Sequence, residues 1–321
     1  MADSVIKRTT LIVADAARSI AFYRDVLGMK EYYNQHMTVG GKIIPAGEPG
    51  ATVHLGIMEA NHPEVGKLGL LQWTDPPLVR AQQPTHKIGI GNATLVLETD
   101  DMETLYLRLQ NSPNCQIYCA PYEWQVPRAD GTGNRTLFTL SFFDPDGFFV
   151  EVNHKPAEPQ PNGLVIRRTT LVVADVTRAL EFYRDTLGLI VISDQMMKID
   201  ANVLPAGEPN ALARVVFLRS DALETGMIGL LGFVDPPLAA PGEPSKELGI
   251  GDALLVASAT DQPLEILYDR IRTSRGRIHA PPDADEVIGA DGSVIKLTTL
   301  SLFDPDGFFM ELNERRVIAT E

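Results

Sequence analysis

RTTLIVADAARSIAFYRDVLGM, residues 8–29, recurs without a gap as RTTLVVADVTRALEFYRDTLGL at residues 168–189. The same 160-residue spacing carries through PAGEP (45–49 and 205–209), GLL (69–71 and 229–231) and GIG (89–91 and 249–251). It slips by one at ADG (129–131 and 290–292) and returns at FDPDGFF (143–149 and 303–309). Two homologous modules therefore share one chain, and every candidate site in one has a counterpart to inspect in the other.

Working outward from the repeat, the boundaries fall at 1–154 and 165–321, joined by KPAEPQPNGL at 155–164. The three prolines of that segment fix backbone dihedrals and remove donors, which predicts a short stiff linker. A length of 321 residues suits two domains of roughly 150 residues each. The hydrophobic fraction of 44% is ordinary for a soluble globular protein. A net charge of −14 argues against nucleic acid or an anionic membrane as the main partner. No apolar run reaches the roughly 18 residues a membrane span requires, and the N-terminus lacks an apolar signal core. Cys115 and Cys119 have no counterparts in the second module, so they read as reduced thiols rather than a disulfide framework. The expected location is cytoplasmic.

Local signals run in one order within each module. Residues 8–14 suit a strand, Asp15 stands at an N-cap, and Ser19, Ile20, Phe22, Tyr23 and Leu27 follow at helical spacing until Gly28. Two or three strands come next, ending in LGLLQWTDPP, where the proline pair breaks the sheet. The order then repeats: Ala93–Thr99 as strand, Asp100–Asp101 as cap, Met102, Leu105, Tyr106 and Leu109 as helix, and further strands around the tight turn Asp144–Gly147. The expected class is α+β, with each module a pair of βαβββ units. One such unit cannot cover its own sheet, so halves must pair around a pocket.

V-x-D-x-x-R-(S/A)-(L/I)-x-F-Y-R-D-x-L-G and F-D-P-D-G-F-F-x-E-(L/V)-N together resemble the vicinal oxygen chelate superfamily, which includes glyoxalase I, the bleomycin-resistance proteins and the type I extradiol dioxygenases. The resemblance covers nearly the whole chain, once per module. It implies tandem cup-shaped half-barrels and, in metal-using members, a divalent ion held at four strand positions. Here those positions read Arg8 and Arg168, Gly69 and Gly229 (or, one step along, Leu70 and Leu230), Thr94 and Leu254, and Glu151 and Glu311. One carboxylate per cup falls short of the roughly three His, Cys or carboxylate ligands that Zn²⁺ or Fe²⁺ needs. No metal and no cofactor is expected.

Alternation along a strand sets Arg8, Thr10 and Ile12 on one face and Phe149, Glu151 and Asn153 on another. Family geometry then brings an Arg and a Glu together where the ion would sit, within one module or between the two. Such a pair is either a structural ion pair or a catalytic one, with Glu151 (or Glu311) as base and Arg8 (or Arg168) steadying an oxyanion. The predicted ligand-binding walls are His54, Trp73, Thr94 and Tyr122 in module one and Phe233 in module two. Module one is favoured because it holds both tryptophans and most histidines. The expected function is metal-independent binding of a small aromatic or oxyanionic molecule, with proton-transfer chemistry of the lyase or isomerase type. The alternatives are a sequestering protein without turnover, and a metal-dependent dioxygenase or glyoxalase-like lyase using His54 or His86 with Glu151. The internal pseudo-dimer admits either a monomer or a homodimer.

Overall fold

Every half-module opens with an apolar strand and a short helix, and it is the pairing of these halves that positions the site. In a computed structural model of the chain, residues 4–60, 66–80, 85–128, 131–159, 161–220, 226–239, 247–259, 263–288 and 294–317 are described. Module one contains β1 (Ser4–Ile12), α1 (Ala16–Ala21), β2 (Lys30–Thr38), β3 (Thr52–Glu59) and β4 (Lys67–Asp75), then β5 (Ala93–Glu98), α2 (Met102–Gln110), β6 (Gln116–Pro127), β7 (Asn134–Phe143) and β8 (Phe149–His154). Module two repeats this with β9 (Val165–Val172), α3 (Val176–Leu180), β10 (Ile190–Lys198), β11 (Leu212–Arg219) and β12 (Met227–Asp235). Its second half is β13 (Ala253–Ala259), α4 (Leu264–Thr273), β14 (Arg277–Ile288), β15 (Val294–Phe303) and β16 (Phe309–Val317).

The caps are those the sequence predicts for three of the helices. Asp15 accepts from the Arg18 amide at 3.0 Å, Asp101 from the Thr104 amide at 3.0 Å, and Asp175 from Thr177 and Arg178. α4 follows Pro263 instead, and the Leu264 amide donates to Glu314 of β16 at 3.0 Å. α1 and α3 each run on into a π-helical stretch, Phe22–Val26 and Glu181–Thr186. The wider turn sends the consecutive Phe22 and Tyr23, and likewise Phe182 and Tyr183, into the core. No helix among the described residues is long and apolar enough to cross a membrane.

The halves exchange partners between modules. One eight-stranded sheet has the order β14-β15-β16-β13-β1-β4-β3-β2 and the other β10-β11-β12-β9-β5-β8-β7-β6. Each sheet thus joins the first half of one module to the second half of the other, through antiparallel β1–β13 and β5–β9 ladders. Alternation then sorts the side chains. Leu11 and its neighbours pack with α1 and α2 between the two sheets, and an equivalent cluster surrounds α3 and α4. At the centre the Thr9 and Thr169 hydroxyls meet in a hydrogen bond. Ile12 faces the other way, into a concave apolar layer with Leu71 and Trp73, and Val172, Leu231 and Phe233 do the same in the second sheet.

The repeated motifs hold these halves in place. Asp144 accepts from the Tyr23 hydroxyl at 2.9 Å, and Asp146 accepts from the Ala14 amide and the Arg18 guanidinium at 2.9 Å and from the Ser19 hydroxyl at 2.6 Å. The turn of one sheet therefore clasps the helix of the other within a single module. The PAGEP and GIG segments meet across modules: the Ile88 amide donates to the Pro205 carbonyl at 3.0 Å and the Leu248 amide to the Pro45 carbonyl at 2.8 Å.

Candidate ligand cavity of the second sheet

Four neighbouring strands of the second sheet carry one transverse row of residues. The register sets Glu151 on β8 against Val96 on β5, Val96 against Arg168 on β9, and Arg168 against Met227 on β12. All four line a cavity of about 450 Å³ on the concave face, a size suited to a small organic ligand. Its apolar wall includes Leu137, Met197, Leu204, Val215 and Phe217. The cavity draws on the second half of module one and the first half of module two. Of the two pairings the sequence leaves open, within one module or between the two, the sheets adopt the second, so neither cup belongs to a single module.

Arg168 is the central cation. Its Nε donates to Thr170 Oγ1 at 3.2 Å, and the guanidinium lies 4.3 Å from the Phe217 ring centroid. Its Nη2 stands 3.7 Å from Glu151 Oε1, too long for a hydrogen bond. Among the described residues the two Nη groups have no hydrogen-bond partner. Burial lowers the pKa of this guanidinium, Glu151 opposes that shift, and Arg135 adds to it; it remains a cation. Glu151 Oε1 accepts from Asn153 Nδ2 at 2.6 Å, Asn153 Oδ1 accepts from Thr139 at 2.6 Å, and Thr139 Oγ1 accepts from Trp124 Nε1 at 2.9 Å. This chain orients the carboxylate and ties it to an indole that itself lines the cavity.

A second ion cluster lies beside the first and escapes the motif reading. The β5–β9 register shifts between Val96 and Leu97, so Arg167 is bulged out of alternation and reaches the same cavity as Arg168. Arg167 grips Glu98 with both arms, Nε to Oε2 and Nη2 to Oε1, each at 2.9 Å, and Lys155 Nζ adds a bond to Oε2 at 2.6 Å. Glu98 is 1% exposed. Burial alone would raise its carboxyl, but the bonds from Arg167 and Lys155 outweigh it and hold the group below the ordinary value. At one end Arg135 and Arg128 converge on Glu158 at 3.1 and 3.6 Å. The signal for Arg167 is the doubled RR at 167–168, which strict alternation reads as one residue in and one out.

The other predicted wall residues divide. Thr94 lines the cavity, its row partner being Thr170. Tyr122 is an exposed side chain outside the cavity lining, and the nearby Asp200 raises its hydroxyl pKa. Phe233 and Trp73 are buried under the loop glycines Gly207 and Gly47, where they pack as core rather than as wall. His54 belongs to the first sheet and faces its helix side, like Gly56 two residues on, whose absent Cβ makes room for Ile20. Its Nε2 pairs with Asn34 Oδ1 at 2.6 Å, and its ring stacks on His36 at 4.4 Å. His86 packs at 4.8 Å against Phe143. Neither histidine lines the cavity with Glu151.

Arg8 and Glu311 occupy the matching row of the first sheet, with Arg8 Nε donating to Thr10 Oγ1 at 2.8 Å. Burial lowers the arginine and raises the glutamate, each opposed by the charge of the other. Each Arg thus faces the Glu of the opposite module.

These positions do not suit a transition metal. Arg168 offers donors only, and Glu151 is the single carboxylate among the four aligned positions. Gly229 shares the concave face with Thr170, so the register falls on Gly69 and Gly229, with Leu70 and Leu230 in the helix-side clusters. A Cβ on Gly229 would come 2.6 Å from Thr170 Oγ1, and one on Gly69 2.4 Å from Thr10 Oγ1, so no ligand side chain fits there without rearrangement. Among the described residues no group of three His, Cys, Asp or Glu side chains is placed to hold an ion.

A model of the Glyoxalase/Bleomycin resistance protein/Dioxygenase superfamily matches the chain twice, over residues 5–152 and 165–312. Glyoxalase I from Zea mays superposes with a TM-score of 0.62 at 17% identity, covering 97% of this chain and 92% of that one. A "putative dioxygenase" from Bacillus subtilis gives 0.54 at 15% identity, covering 96% and 84%. No curated protein sequence matches. At these identities the structural likeness establishes the fold.

Proposed function

Because the chain belongs to the Glyoxalase/Bleomycin resistance protein/Dioxygenase superfamily, we infer that its second-sheet cavity binds a small aromatic or oxyanionic molecule without a metal ion. One observation carries this reading: Arg168 turns donors without hydrogen-bond partners toward a 450 Å³ cavity while its neighbour Arg167 is fully occupied by Glu98. A structural ion pair has the second arrangement, bidentate and buried. The first is a cation held ready for an oxygen that the ligand brings. Arg168 then takes the electrostatic part that an ion plays in metal-using relatives, binding a carboxylate, phenolate or enolate oxygen. Glu151, held by Asn153 at 2.6 Å, is positioned to accept a proton from the bound molecule.

Phenylpyruvate tests both roles, since it carries a carboxylate and an exchangeable carbon-bound proton. The wild-type protein should quench Trp124 on binding and accelerate deuterium uptake from D₂O. Glu151→Gln should lose ~10²-fold or more of that acceleration and keep its affinity; Arg168→Met should lose affinity. Binding without acceleration in the wild type would instead favour a sequestering protein. Binding unchanged in Arg168→Met would remove the basis of the reading altogether.

A further inference from the structure

Arg219 extends the transverse row by one strand. The β11–β12 register that sets Phe217 against Gly229 and Leu218 against Ile228 carries on to bring Arg219 opposite Met227. The concave floor therefore runs Arg219, Met227, Arg168, Val96, Glu151. Strands lie ~4.8 Å apart, so the two arginines spring from backbone ~10 Å apart, with the Met227 thioether and the Phe217 ring in the space they flank. All of these residues line the same cavity.

Arg219 differs from the cavity's other cations. Arg167 and Lys155 share Glu98, Arg135 is paired with Glu158, and Arg168 has Glu151 beside it. Arg219 has no carboxylate partner among the described residues, and its Nε is buried without a hydrogen bond. A buried donor left unmatched costs free energy, and a guanidinium fork is shaped for a carboxylate. The matching place in the first sheet is neutralised: Glu59 replaces Arg219, Lys67 replaces Met227, and the two stand 3.6 Å apart. The second cup has in their place one apolar residue and one unmatched cation.

Resting on the reading of Arg168 as an oxyanion site, we propose that the ligand is a two-ended organic acid. One acidic group is bound by Arg168 near Glu151, the second by Arg219, and an apolar or aromatic spacer lies over Met227 and Phe217. Arg219 is then a specificity-determining residue, engaged with the far end of the molecule and remote from the proton transfer at Glu151. The net charge of −14 offers a dianion no general attraction, so its binding rests on these two arginines.

Benzoate and terephthalate share a ring and differ by one carboxylate, so their affinities isolate the second subsite. Titration calorimetry on the full chain should show terephthalate binding ~10-fold or more tightly than benzoate. Arg219→Met should erase that ratio by weakening terephthalate alone, and Arg219→Gln, which keeps a polar side chain, should do the same. Arg168→Met should weaken both acids. Equal affinities for the two acids in the wild type, or a loss of benzoate binding in both Arg219 variants, would overturn the second subsite while leaving the Arg168 reading intact. Binding of neither acid would overturn both.

Discussion

Arg167 and Arg168 are adjacent, both cationic and both in the cup, yet they should respond to substitution in opposite ways. Arg167→Met strands Glu98, which is 1% exposed, with Lys155 as its remaining named partner. That should cost ~3–5 kcal/mol of stability, read by urea unfolding. Arg168→Met leaves Glu151 still bonded to Asn153 and should cost clearly less than Arg167→Met, since Arg168 stands 3.7 Å from Glu151, beyond hydrogen-bond reach, while removing ligand binding. Equal losses of stability would contradict the division into a structural and a ligand-facing arginine. A second difference lies in the clasps. Ser19 donates to Asp146 Oδ2 at 2.6 Å, but its counterpart is Ala179, and Asp306 Oδ2 is buried without a partner. Ala179→Ser should restore the bond and stabilise the protein by about 1 kcal/mol, a rise of ~2–4 °C in Tm for a domain of this size. An unchanged or lower Tm would show that the small residue is required there for packing. The Arg-to-Glu match was legible only through the family resemblance, which supplies the strand positions; alternation then sets the faces. Arg167, Glu98 and Lys155 were not, because a bulge breaks alternation and only the ladder register reveals it.

Among elements, the DPDG turn reads in the sequence only as a reversal between two strands, and its backbone bears that out, with the Gly147 amide bonded to the Asp144 carbonyl at 3.0 Å. Its side chains do more, because they reach a helix some 120 residues earlier (|i−j| of 121 for Tyr23 to Asp144). Local periodicity carries no information on contacts at that separation. Burial, with Asp146 close by, pushes Asp144 up to about 7, and Asp304 is likewise raised to about 7 beside Asp306. The unfolded value is near ~3.9, so both folded values are raised. The linked stability is then fully present at low pH and is lost as pH rises through about 7. Thermal unfolding should therefore show Tm falling as pH rises from ~5 to about 7 and levelling off above that. The double variant Asp144→Asn, Asp304→Asn should flatten that slope, since an amide keeps acceptor and donor but does not ionise. Parallel slopes in the two proteins would place the pH dependence elsewhere.

For the whole molecule, repeat spacing reveals two modules but not how their halves pair, because both pairings use the same strands in the same order. The ladders decide it: β1 joins β13 and β5 joins β9, so each sheet needs both modules. A consequence follows for a chain cut within the 155–164 linker. The two pieces remain joined by both ladders, by the apolar cluster around α3 and α4 (which includes Ile6 of module one) and by the loops that meet at Pro45 and Pro205. They should copurify as a 1:1 complex without denaturant. Module one expressed alone leaves the pairing edges of β1 and β5 open. The repeat makes β5 the equivalent of β13, so a second copy can supply each missing strand, and the isolated module should run as a homodimer by light scattering. Open apolar edges of this kind do not persist unpaired in water. A folded, monomeric module one would mean that its halves close on each other, which by the repeat would set Arg8, rather than Arg168, beside Glu151. The same experiment carries the ligand prediction with it, because both acid-binding arginines, Arg168 and Arg219, come from module two while the opposite wall with Glu151 comes from module one. Terephthalate binding should be absent from module one alone, which lacks Arg168 and Arg219, and return when the two pieces are combined.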